Sequence, residues 1–129
     1  MELWEAARAL VGTPWLEAGC TERGVDCAHF VPLACRRMGV EIDPENRLSR
    51  NRNWKSSWRL VSRYFEMQPV RDARPGDVVA IGGRAVEYIG VLSPAGKLIG
   101  IAEKRAVAEE LTFPGSYTVI GVFRLCRSS

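Results

Sequence analysis

Apolar residues at positions 3, 6, 7, 10 and 11 recur at intervals of three and four and predict an amphipathic first helix, stopped by Gly12-Thr13-Pro14. Residues 15–24 contain two glycines and read as a loop. A second helix is predicted over 26–38, with Asp26 as its N-cap and Gly39 as its stop. Pro32 falls inside that span and predicts a kink or a lost backbone hydrogen bond near Ala28. After a polar loop over 40–52, Trp54, Trp58, Val61 and Phe65 stand at helical spacing and predict a third, short helix.

From Met67 onward the pattern changes to strands and turns. Arg74-Pro75-Gly76-Asp77 is a turn into the apolar run 78–81, and Gly82-Gly83 is a hairpin-type break. Residues 85–92 and 97–102 read as strands around the turn Ser93-Pro94-Ala95-Gly96, 105–111 as a weaker one, and 116–125 as the last. Helices first and an antiparallel meander after them predict the α+β class, with N-terminal helices packed on a C-terminal sheet of about five strands. With no repeat and no linker, residues 1–129 read as a single domain.

Composition narrows the class further. At 129 residues and 47% hydrophobic the chain can bury a core without metal or disulfides, and disorder is excluded. No stretch approaches the ~18 apolar residues of a membrane span, and the start of the chain does not read as a signal peptide. The expected setting is the cytoplasm or a virion component, with no membrane partner. A net charge of +3 excludes little. Its densest positive run, 47–63, is interleaved with Trp54 and Trp58 and is the sole support for nucleic-acid binding. Charge runs of this kind more often form solvated surface, and tryptophans at helical spacing more often form core. The four cysteines, at 20, 27, 35 and 126, form no C-x-x-C pair, and there is one histidine. No metal site or cofactor is expected.

Cys27 is the sharpest candidate. A cysteine in the first turn of a helix feels the positive end of the helix dipole and unpaired N–H groups, both of which favour the thiolate. Cys35, eight residues on, reads as core. Cys20 and Cys126 lack such a context. His29, two residues beyond Cys27, would be turned by about 200° on a helix and cannot then serve that sulfur.

GTPW at 12–15, GVDCAHFV at 24–31, RPGDVVAI at 74–81 and YIGVLSPAGKLIG at 88–100 together resemble the NlpC-type cell-wall cysteine peptidases, most closely the short members of phage tails and gene-transfer particles. The resemblance runs in the right order over nearly the whole chain. It implies a papain-like fold, a cysteine nucleophile, a histidine base on a sheet strand and a polar third residue that orients it. The reaction would cleave an amide of peptidoglycan stem peptides through a thioester. The nucleophile carries over to Cys27. Tyr88 stands at the position of the histidine, Gly100 at that of the third residue, and Trp15 where many members have a tyrosine near the oxyanion site.

These departures have chemical weight. A phenol with a pKa near 10 is a poor base at neutral pH, and an indole donates a hydrogen bond but accepts none. Glu87 is ionised, but strand neighbours point to opposite faces, so either Glu87 or Tyr88 faces the sulfur. A carboxylate there would disfavour the thiolate. The leading expectation is therefore a papain-like domain that keeps its fold and groove without the dyad. It would act as a structural or cell-wall-binding part that contacts stem peptide or other phage or envelope proteins, with Trp15, Asp26 and Glu87 as binding candidates. The alternative is an active thiol hydrolase using Cys27 and a non-standard base.

Overall fold

The computed structural model describes residues 1–27, 29–42, 64–82, 86–102, 104–112 and 118–126; for Val86, Glu87, Leu111 and Thr112 it describes the backbone alone. The predicted 47–63 basic run and the Trp54–Trp58–Val61 stripe lie outside those residues.

Helix α1 spans Leu3–Arg8 and buries Leu3, Ala6 and Ala7. Its first turn is closed by Glu5, whose carboxylate accepts the Glu2 N–H at 2.9 Å. The chain then turns at Gly12, whose φ of +96° is left-handed, and exchanges backbone bonds with Val107 through Gly12 N–H and Thr13 C=O, both at 2.9 Å. A short ribbon follows, in which β1 (Cys20–Thr21) pairs antiparallel with β2 (Gly24–Val25). Helix α2 spans Phe30–Arg37 and buries its first six residues.

Six strands form one antiparallel sheet in the order β3-β8-β4-β5-β6-β7, where β3 is Phe65–Gln68, β4 Val78–Gly82, β5 Val86–Leu92, β6 Lys97–Gly100, β7 Ala108–Thr112 and β8 Thr118–Leu125. The fold is thus α+β, with one strand more than the sequence predicts. The extra strand is β3. Phe65, predicted to close a helical stripe, instead pairs with Leu125 on the last strand. Pairing with β8 buries the Phe65 ring to 5% exposure, a tertiary gain that outweighs local spacing.

Strand β4 is apolar at every position because it is buried on both faces. Val78 and Ala80 join Ile89, Val91, Ile99 and Phe123 against the helices, whereas Val79 and Ile81 join Tyr88, Leu92, Leu98 and Val122 in a second cluster. Asp77, 2% exposed, anchors the entry to this strand. Its carboxylate accepts two bonds from Arg124 on β8 and the Arg74 N–H, all at 2.9 Å. Among the described residues no helix is long and apolar enough to cross a membrane.

Candidate functional site

Asp26 organises the approach to Cys27. One carboxylate oxygen accepts the Ala18 N–H at 2.9 Å, and the other accepts the His29 N–H at 3.0 Å. The same oxygen lies 2.6 Å from His29 Nδ1. Ala18 holds a left-handed φ of +60°, a costly conformation for alanine that this bond helps to fix. Asp26 therefore spends its oxygens on the preceding loop and on His29. Helical residues begin only at Phe30, with His29 as N-cap, three residues beyond the predicted cap at Asp26.

Two corrections follow from that shift. Cys27 lies in the turn before α2 rather than in its first helical turn, which weakens the dipole argument because the field falls off within about one turn. Pro32 becomes the third helical residue, where a backbone N–H has no intrahelical partner to lose, so no kink at Ala28 is required.

The Cys27 sulfur donates to the Ile101 carbonyl oxygen at 3.3 Å. That contact is made by the protonated thiol, and a carbonyl dipole facing sulfur opposes a thiolate. Ile101 directly follows Gly100, so the end of β6 is brought against Cys27. Tyr88 joins the group from β5. Gly90 pairs with Gly100 across the two strands, and the Tyr88 ring lies over both glycines. A Cβ built on Gly100 would come 2.6 Å from the Tyr88 hydroxyl oxygen and 2.8 Å from the Ile89 carbonyl oxygen. The tyrosine thus fills the space that a side chain at position 100 would need.

Cys27 thus meets the carbonyl that follows Gly100, while Tyr88 covers Gly100 from the second cluster, and among the described residues no hydrogen bond joins the tyrosine to the cysteine. The Tyr88 hydroxyl is buried and lacks a hydrogen-bond partner among the described residues. Burial, then the charges of Glu110 and Cys27, push its ionisation well above that of an ordinary phenol. The chain's one histidine is tied by Nδ1 to Asp26, with its side chain 13% exposed. Cys35 is fully buried, and burial pushes its thiol up to about 12. Trp15 forms an isolated parallel bridge to Val25 and packs against the main core. The Glu87 side chain lies outside the described residues. The Ile101 carbonyl left no mark in the sequence, because a backbone group is present everywhere. The Asp26–His29 pair did leave one, since their spacing of three suits a local side-chain bond.

Two outcomes are expected at this cluster. Tyr88→Phe removes a buried hydroxyl with no partner and should leave stability unchanged or raise it by about 1 kcal/mol in urea unfolding. Gly100→Ala should cost about 1–3 kcal/mol, because a backbone carbonyl as well as a ring must move. At Asp26, burial alone would raise the carboxyl pKa, but the His29 and Ala18 hydrogen bonds and the His29 charge bring it below the ordinary range. A carboxylate lowered in the fold adds stability above its unfolded pKa, and that stability is lost as pH falls through the folded value. Asp26→Asn should therefore flatten the acid limb of the stability–pH curve below about pH 4.

A two-helix layer against a six-stranded antiparallel sheet, with a cysteine just before α2 and the end of β6 against it, defines an NlpC/P60-type papain-like fold. No protein-family profile and no curated protein matches the sequence. Solved structures share its fold. An NLP/P60-family lipoprotein of Staphylococcus aureus superposes with a TM-score of 0.66 at 11% identity, over 98% of this chain and 41% of its own. The chain thus spans less than half of that protein. The NlpC/p60 domain of the peptidoglycan hydrolase SagA matches at 0.62 and 16% identity, over 98% of this chain and 97% of that domain. RipD of Mycobacterium tuberculosis matches at 0.61 and 15%, over 98% of this chain and 99% of its own; it is described as a non-catalytic NlpC/p60 domain protein adapted to peptidoglycan binding.

Proposed function

We propose that this chain is a non-hydrolytic relative of the NlpC/P60 peptidases that binds peptidoglycan stem peptides through the groove at Cys27. One observation carries the reading: the Cys27 thiol donates to a backbone carbonyl, and the chain's sole imidazole is engaged by Asp26. Tyr88 cannot replace a base, since its buried phenol holds its proton more tightly than a free one. RipD supports the reading as a protein of the same fold described as non-catalytic and peptidoglycan-binding. The motif series, similar to that of short phage-tail members, supports a role in a tail or envelope assembly.

The test is co-sedimentation with purified sacculi, followed by chromatography of the released material. Binding that survives Cys27→Ala, with no released peptide, is expected. Release that disappears in Cys27→Ala would establish the thiol hydrolase instead.

A further inference from the structure

The β1–β2 ribbon and α2 enclose an open cleft of about 570 Å³, lined by Thr21, Glu22, Arg23, Leu33, Arg36 and Arg37. Leu33, Arg36 and Arg37 follow the i, i+3, i+4 spacing and share one face of α2. Leu33, 4% exposed, is the apolar floor. Across from them the ribbon's turn carries Glu22 and Arg23, and the Arg23 N–H donates to Thr21 Oγ1 at 3.2 Å. Arg37 forms an ion pair with Glu22. The side chains of Arg23 and Arg36 have no hydrogen-bond or ion-pair partner among the described residues.

The Arg37–Glu22 pair explains itself, since it ties the ribbon to the helix. The two remaining guanidiniums have no such task. Solitary surface arginines usually serve only solubility, but these two converge with a hydroxyl on one concavity. Three guanidiniums against one carboxylate leave that concavity with an excess of two positive charges.

We propose that this cleft binds a phosphate monoester. At neutral pH such a group carries a charge of about −1.5 to −2, which matches the excess, whereas a lone carboxylate would leave one guanidinium uncompensated. The planar forks of Arg23 and Arg36 can each present paired N–H donors to phosphoryl oxygens, and the Thr21 hydroxyl can donate to another. Leu33 offers an apolar surface to the ester carbon. The site stands independently of the peptidoglycan reading, because it shares no residue with the Cys27 cluster.

Titration with inorganic phosphate and with glycerol 1-phosphate, followed by calorimetry and by NMR of the arginine Nε–H signals, tests it. Saturable binding is expected, weakened about tenfold by Arg23→Ala or by Arg36→Ala. Glu22→Gln should tighten it. Binding should weaken as pH falls below about 6, where the dianion takes up a proton. Tighter binding of the ester than of phosphate would identify an organic phosphate as the ligand, and equal binding would identify the free anion. Absence of saturable binding, or binding unchanged when Arg23 and Arg36 are both alanine in a variant whose circular dichroism is native, overturns the proposal.

Discussion

Stem-peptide cleavage by this protein is expected to be no faster than that of Cys27→Ala, and so more than about 10²–10⁴-fold below that of a Cys–His hydrolase under the same conditions, the usual consequence of losing a positioned base. No proton acceptor of the described residues other than a backbone carbonyl is bonded to the sulfur. His29 bonds Asp26 through Nδ1 at 2.6 Å, and the Cys27 thiol is turned to the Ile101 carbonyl. Liquid chromatography of a defined stem peptide, with Cys27→Ala as blank, measures the difference. Tyr88→His is expected to recover part of the rate, because removing the phenol opens the space over Gly90 and Gly100. Adding Gly100→His should bring no further gain. Even without the tyrosine ring, its Cβ would press on the Ile89 carbonyl oxygen at 2.8 Å. A wild-type rate equal to that of a complete dyad would contradict this account.

The largest effect on stability is expected at Asp77, far from that chemistry. Asp77→Ala removes three bonds to one buried carboxylate and strands the Arg124 guanidinium, which also donates to the Asp72 carbonyl at 3.1 Å. Breaking a buried pair from one side costs about 3–5 kcal/mol, and the 32% exposure of Arg124 puts the expectation near the lower end, about 3 kcal/mol in urea unfolding. Asp77→Asn, which keeps an acceptor, should lose less. A loss below about 1 kcal/mol for the alanine variant would show that Arg124 and the Arg74 turn find other partners.

The sheet was legible because its strands are bounded by Pro-Gly turns and carry dense β-branched runs; 78–81, 85–92 and 97–102 were each found within two residues. The start of α2 was misplaced for a physical reason. Asp26 has the chemistry of an N-cap and does accept the N–H three residues on, but its second oxygen is drawn off by Ala18, and a turn over Cys27 intervenes. Phe65 was misassigned because spacing along one segment carries no information about a pairing partner sixty residues away. At the site, motif order singled out positions 27, 88 and 100, but not the Ile101 carbonyl that Cys27 meets. That Tyr88 would lie flat over two glycines, with its hydroxyl unpaired, depends on cross-strand register, which pattern alone does not fix.

The central claim is that the Cys27 sulfur rests as a thiol hydrogen-bonded to a carbonyl. The rate of its alkylation by iodoacetamide against pH, read by mass spectrometry of the Cys27 peptide, measures this most directly. Slow labelling at neutral pH that climbs steadily into the alkaline range is the predicted result. Fast labelling already level between about pH 5 and 7 would reveal a resident thiolate and contradict it.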